Sequence, residues 1–84
     1  MHDAEARQTT VLLAAIEAME ATLSVAEALV SERRRIDLDG LEAEMERICG
    51  ACLAVPPGAA TAVRGRLAGL LKQLDRLHGA LAPP

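Results

Sequence analysis

Few residues of this chain have types and spacing that could do chemistry, and the clearest pattern among them is Cys-x-x-Cys. Cys49 and Cys52 stand three positions apart, a spacing typical of a redox pair or of half of a zinc site. A reactive dithiol is favoured at the N-terminus of a helix, where the helix dipole lowers the thiol pKa. These cysteines fall instead in the last turns of a predicted helix. We therefore interpret both as small helix-packing residues.

A zinc site built on these cysteines would need two further ligands, since structural zinc is tetrahedral. Within the chain the remaining candidates are His2 and His78, and a second copy of the chain could supply two more cysteines. We keep Cys49 and Cys52 as weak metal candidates and predict no metal. A thiol or zinc module is the weakest of the alternatives that we carry forward.

Paired carboxylates occur twice, as Glu17 with Glu20 and as Glu42 with Glu46. Both pairs fall on predicted helix surfaces beside the third predicted helix, which is basic. Ion pairing with that helix or solvation explains them. The sequence contains no Ser/His/Asp set and no glycine-rich loop between a strand and a helix. We therefore predict a protein that is not an enzyme, with no catalytic residue and no cofactor.

Composition excludes several classes of partner. The 84 residues contain no aromatic side chain and carry a formal net charge of −3, which argues against nucleic-acid binding because stacking platforms and a basic surface are both missing. The sequence shows no secretory signal and no run of about 20 apolar residues of the kind that spans a membrane. The expectation is a cytoplasmic protein with reduced thiols.

The first helix is predicted over residues 4–34, with Asp3 as its N-cap and Arg33, Arg34 and Arg35 at its C-terminal end. Its apolar residues are spaced alternately four and three positions apart, which places them on one stripe of an α-helix. We call such a stripe a seam. The seam of the first helix consists of Leu12, Ile16, Met19, Leu23, Ala26 and Val30.

A second helix is predicted over residues 39–54. Asp39 followed by Glu42 has the spacing of a capping box, with Asp37 as the competing N-cap. The prolines at 56 and 57 then interrupt helical geometry, and a third helix is predicted over residues 59–82. The same four-three spacing gives the second seam as Leu41, Met45, Ile48 and Cys52, and the third as Val63, Leu67, Leu70, Leu74, Leu77 and Leu81.

These elements predict an all-α fold in a single domain over residues 1–84. The alternatives are an antiparallel three-helix bundle, or a helical hairpin with a third helix, completed by dimerisation. Because short connections make successive helices antiparallel and the three predicted lengths are unequal, we expect part of the first seam to lack a partner within the chain. The residues predicted to bind a partner there are Leu12, Ile16, Met19 and Leu23.

The long first helix and the segment Ile-Asp-Leu-Asp-Gly-Leu-Glu that follows it resemble the small helical export chaperones of bacterial flagellar and type III secretion systems. The similarity is carried by residues 29–41 and by the order of the helices. It implies a chaperone or adaptor that holds the amphipathic helix of an exported subunit in an apolar groove. The alternative is a self-associating structural bundle, a homodimer in which two chains cover each other's seams.

Overall fold

The computed structural model describes the backbone of residues 2–81 and the side chains of Ala4 and residues 6–81. Helix α1 is His2–Ser31, α2 is Leu41–Cys52 and α3 is Pro57–Leu81, and the described residues form no strand. The predicted all-α bundle is therefore confirmed. The ends of α1 and α2 and the start of α3 lie two or three residues from their predicted positions.

Helix α1 ends at Ser31 rather than at Arg34 because the chain turns into the left-handed region at Arg33, where φ is 59°. The amide of Arg33 donates to the carbonyl of Val30 and the amide of Arg34 to that of Leu29, both at 2.9 Å. These two bonds form a Schellman C-cap, which closes the last turn of a helix. The three arginines consequently lie beyond the helix, exposed to solvent. At the other end α1 begins at His2, so Asp3 lies inside the helix rather than at its N-cap, and its side chain is outside the described residues.

The predicted capping box of α2 is wrong. The N-cap residue is Gly40, whose φ of 86° is left-handed and which offers no side-chain cap, and α2 begins one residue later. The Asp37 carboxylate does accept a backbone amide, but it is that of Asp39, at 2.8 Å, which makes a local Asx turn rather than a helix cap. Glycine sets this junction because only glycine adopts that geometry without strain.

At the second break α2 ends at Cys52 rather than at residue 54, and α3 starts at Pro57, two residues earlier than predicted. Proline suits the first position of a helix, because the amide that it lacks would have no partner there. The amide of Ala59 donates to the carbonyl of Pro56 at 3.0 Å. Residue 82, the predicted end of α3, is outside the described residues.

Helices α1 and α3 run parallel, since α2 reverses the chain between them. Two ion pairs reflect the parallel direction, because the residue numbers of both partners increase from one pair to the next. They are Glu20 with Arg66 at 3.0 Å and Glu27 with Arg76 at 3.4 Å. The α1–α3 contact is the most extensive in the molecule, and α2 packs against both helices over a shorter length. The acidic face of α1 therefore meets the basic helix α3, as the charge pattern favours.

One apolar core joins the three seams. Its buried members are Leu12, Ile16, Met19, Leu23 and Ala26 of α1, Met45 and Ile48 of α2, and Val63, Leu70 and Leu77 of α3. The segment 32–40 also takes part, because Ile36 and Leu38 are half-buried against this core. This segment thus covers part of the bundle that α2 is too short to reach.

The molecule is elongated, with extents of 50 × 17 × 17 Å. Its radius of gyration is 14.5 Å, whereas a compact chain of this length has a value of roughly 12 Å. An elongated bundle leaves much of each helix in contact with solvent. The outer side of α1 is therefore a large part of the surface.

Candidate functional site

The residues that we predicted to bind a partner are core residues in the single chain. Leu12, Ile16, Met19 and Leu23 are 7%, 0%, 6% and 0% exposed. The prediction of an exposed stripe at these positions is wrong, because α3 runs parallel to α1 along its length while α2 covers the adjoining side. A comparison of helix lengths alone missed that arrangement. Of these four side chains only Leu12 also lines a cleft at the surface, and the other three are enclosed by the bundle.

An open cleft of about 730 Å³ lies beside this core, between the first four turns of α1 and one side of α2 with the connection that follows it, residues 53–56. Alanine, leucine, isoleucine, valine and proline side chains form most of its walls. The apolar lining consists of Ala4, Val11, Leu12, Ala15, Ile48, Ala51, Ala54, Val55 and Pro56. The volume is within the roughly 300–1,000 Å³ typical of ligand pockets. Because its walls are two helices, the cleft is an elongated groove of the kind that accepts an apolar helix face.

Polar side chains stand at the edges of this cleft. Arg7, Gln8 and Thr9 come from α1, and Glu44 and Arg47 from α2. Glu44 and Arg47 form an ion pair with each other one turn apart on the exposed side of α2. The cleft therefore combines an apolar floor with a polar edge, the general anatomy of a protein-binding surface.

The two cysteines do not have the properties of a reactive pair. Both are free thiols and half-buried. Burial, with a smaller contribution from the negative charge of Cys49, raises the pKa of the Cys52 thiol, so the thiolate is disfavoured at neutral pH. Position in the last turn of α2, near the negative end of the helix dipole, acts in the same direction.

His78 lies away from the cysteines. His78 is exposed in the last turn of α3, which places it roughly 30 Å along that helix from Pro57, at the opposite end of the bundle from Cys52. The side chain of His2 is outside the described residues. Within the part of the chain that the structure describes, no group of three or more His, Cys, Asp or Glu side chains could hold a metal ion.

The carboxylate pairs are surface features. Glu20 is half-buried in its ion pair with Arg66, whereas Glu17, Glu42 and Glu46 are exposed. None of the four lines the cleft. Glu20 therefore pairs α1 with α3, and the three exposed carboxylates are solvated.

Sequence reasoning missed a second seam on α1, on the side that faces solvent. It starts at Arg7 and ends at Glu32, it follows the same alternating four-three spacing, and it carries no charge between its two ends. Its six inner residues, all exposed, are Val11, Ala14, Ala18, Ala21, Val25 and Ala28. We call this stripe the outer seam. The spacing was visible in the sequence, but alanine is a weak apolar signal beside the leucines of the core.

The outer seam also makes α1 unusually apolar for a surface helix. The segment Ala6–Ser31 is long and apolar enough, by length and composition, to cross a membrane. The core helix of a soluble protein or a signal sequence passes the same test, and α1 supplies half of the core. Its apolar character comes from the sum of two seams, not from an uninterrupted run. The expectation of no membrane span stays a prediction.

Comparison with known proteins adds no assignment. A scan against family models finds none that matches the chain, and searches of curated proteins and of solved structures find no match either. The similarity to export chaperones over residues 29–41 therefore stays a prediction. The cleft and the exposed surface of α1 are therefore the features from which we infer a function.

Proposed function

We propose that this chain is a non-enzymatic helical adaptor or chaperone that holds an amphipathic helix of a protein partner in the cleft between α1 and α2. The observation that supports this proposal is the cleft itself, an open apolar groove of about 730 Å³ with a polar edge. A partner helix presenting apolar residues at four-three spacing would bury them on the floor formed by Ala15, Ile48 and Ala51.

The shape of the walls supports a helix as the occupant. Small residues on the floor, Ala15 and Ala51, let a second helix approach closely, since interaxial distances fall toward about 8 Å where contact side chains are small. The edge residues Glu44 and Arg47 are paired with each other, so they place little net charge beside the apolar floor. An exported flagellar or secretion-system subunit is the partner class that the family resemblance implies.

The test uses a defined probe: a fluorescein-labelled amphipathic peptide of about five turns with leucines at four-three spacing, and an isomer with the same residues in scrambled order. Fluorescence anisotropy should show micromolar binding of the amphipathic peptide and much weaker binding of the isomer. Ala51→Glu places a charge on the cleft floor and should weaken binding at least tenfold, because an unpaired buried charge is costly. Ala62→Glu, on the exposed side of α3, is the matched control and should leave binding unchanged.

Two outcomes contradict the cleft proposal. One is equal binding of the two peptides, which indicates unspecific adsorption. The other is peptide binding that survives Ala51→Glu, which would place the contact elsewhere on the molecule. Circular dichroism of both variants checks that neither substitution unfolds the bundle.

A further inference from the structure

The outer seam of α1 is self-complementary, which points to an occupant. From Arg7 to Glu32 the steps are four, three, four, three, four, three and four residues, so the series is the same when it is followed from either end. Two copies of such a stripe match position for position when one is turned end over end. We propose that two copies of this chain pair through their outer seams, with the α1 helices antiparallel about a two-fold axis between positions 19 and 20.

The side chains at matched positions suit this pairing. Large residues meet small ones across the axis, which lets the two surfaces interdigitate without voids. The facing pairs are Arg7 with Glu32, Val11 with Ala28, Ala14 with Val25, and Ala18 with Ala21. The alanines at the centre permit the close helix approach that small contact residues allow. A symmetric dimer of this kind is the commonest soluble oligomer.

Charge selects the antiparallel orientation. In that orientation each Arg7 approaches Glu32 of the second copy, so both ends of the seam carry an opposite-charge pair. A parallel pair would bring Arg7 beside Arg7 and Glu32 beside Glu32, and it would also align the two helix dipoles unfavourably. The stretch between these ends, roughly 35 Å of helix, contains no charge in the seam. No other described feature of α1 fixes a direction so clearly.

The exposed surface is large enough to need a partner. Val11 and Val25 are 68% and 61% exposed, and monomeric proteins rarely expose a continuous apolar stripe of this length. The chain exposes 6080 Å², whereas a compact monomer of its mass, 8.8 kDa, exposes roughly 4,800 Å². This excess belongs to the whole elongated chain, of which the outer seam is one stripe, and a standard interface buries about 800 Å² on each partner. Beside the seam, the Thr22 hydroxyl donates to the carbonyl of Ala18 at 3.1 Å, so its polar atom is satisfied within the helix.

Analytical ultracentrifugation measures the association directly. The wild-type chain should sediment with twice the mass of 8.8 kDa at micromolar concentration. Val25→Glu and Ala18→Glu each put a carboxylate into the seam and should weaken the dimer at least a hundredfold, while Ala62→Glu on the exposed side of α3 should leave it intact. Both seam positions are exposed in the single chain, so circular dichroism should remain helical.

Disulfide trapping tests the orientation, in a background with Cys49→Ser and Cys52→Ser. Ala14→Cys with Val25→Cys should cross-link two chains on mild oxidation, because these positions face each other. Val25→Cys alone should not, because antiparallel helices hold the two copies of position 25 roughly 16 Å apart along the axis, beyond the reach of a disulfide. Efficient cross-linking of Val25→Cys alone would show a parallel pair and overturn the proposal.

A lipid surface is the alternative occupant of the outer seam. Cosedimentation of the same protein samples with lipid vesicles distinguishes it from a second copy of the chain. Vesicles of equal parts phosphatidylcholine and phosphatidylglycerol should not sediment the wild-type chain. A chain that is monomeric in solution and cosediments with these vesicles would overturn the dimer. A chain that is monomeric and does not bind vesicles would overturn it equally. Arg7 and Val11 belong to both the outer seam and the cleft lining, whereas positions 14, 18 and 25 belong to the seam alone. Substitutions at these three positions therefore test the dimer without changing the cleft that the Ala51 experiment probes.

Discussion

The side-chain nitrogen of Gln73 lies 3.0 Å from the hydroxyl oxygen of Ser24, joining α3 to α1 beside the leucines of the core. The same nitrogen donates to the backbone carbonyl of Glu20, also at 3.0 Å. Gln73 is only 8% exposed and is the one buried polar residue among the described side chains. Both hydrogen bonds form only when α3 has one particular position along α1. Gln73 therefore specifies how α3 is positioned along α1, a task that apolar contacts alone perform less precisely.

Two replacements of Gln73 should separate the contribution of its hydrogen bonds to stability from the contribution of its volume. Gln73→Ala removes two hydrogen bonds and leaves a small cavity, and we expect it to lower the free energy of unfolding by about 1–3 kcal/mol. Gln73→Leu keeps the volume and should cost less, because an apolar residue of similar shape needs no partner. Urea denaturation measures both. A Gln73→Leu variant less stable than Gln73→Ala would contradict this account of the contact.

Leu23 and Leu53 form a matched pair for testing the core. Leu23 is 0% exposed and Leu53 is 91% exposed. Leu23→Ala should lower the free energy of unfolding by about 2–5 kcal/mol, since it removes buried methyl groups and leaves a cavity. Leu53→Ala should change it by less than about 0.5 kcal/mol. Thermal unfolding followed by circular dichroism tests both, and similar midpoints for the two variants would be inconsistent with the packing described.

Arg33→Gly should stabilise the protein. Arg33 has a left-handed φ of 59° at the C-cap of α1, which costs a non-glycine residue about 1–2 kcal/mol. Glycine removes that strain but loses more chain entropy on folding, which leaves a net gain of about 0.5–1 kcal/mol. Arg34→Gly is the control, because φ at Arg34 is not positive. Chemical denaturation should show the gain for Arg33→Gly alone.

Gly40→Ala should destabilise the protein through backbone strain alone. An alanine Cβ at this position would meet no atom within 4 Å, yet φ is +86°. We expect a loss of about 1 kcal/mol or more in the free energy of unfolding. Gly40→Asn should cost less, because asparagine tolerates the left-handed region better than alanine. Equal costs for the two variants would point to a cause other than the dihedral angle.

Cys52 should react slowly with iodoacetamide at neutral pH. Burial, assisted by the charge of Cys49, raises the pKa of its thiol, so the thiolate fraction at neutral pH is lower than for an unstructured cysteine. The rate should rise with pH beyond the range in which a free cysteine has already levelled off. Cys49→Ser should accelerate the reaction only slightly, because burial is the larger cause. Rapid alkylation of folded protein at neutral pH would contradict the assignment as a packing residue.

Regular spacing explains why the core was predictable. Met45 and Ile48 of α2, and Val63, Leu70 and Leu77 of α3, were placed on their seams from the four-three pattern, and all five are buried. The prolines after Val55 likewise fixed the second break, because proline acts through its own ring rather than through distant contacts. Patterns that depend on one residue and its near neighbours are therefore well determined by sequence.

Features that depend on how the helices are placed relative to one another were not predicted from the sequence. The burial of the four residues predicted to be exposed follows from how α2 and α3 cover α1, which helix lengths do not specify; they are Leu12, Ile16, Met19 and Leu23. Gln73 was overlooked because a polar residue beside a leucine seam carries no apolar signal. The capping box at Asp39 was wrong because Gly40, with its left-handed backbone, is the N-cap of α2, one residue later than predicted. The cleft itself requires the relative placement of α1 and α2, which sequence periodicity does not supply.

The parallel contact between α1 and α3 has a consequence for biosynthesis. The ion pair and hydrogen bonds that join these helices link residues 46 to 53 positions apart, and α3 is the last of the three helices to be translated. Until α3 leaves the ribosome, α1 has only the short helix α2 to cover its core seam. Folding of this three-helix bundle is therefore completed only after α3 has emerged from the ribosome.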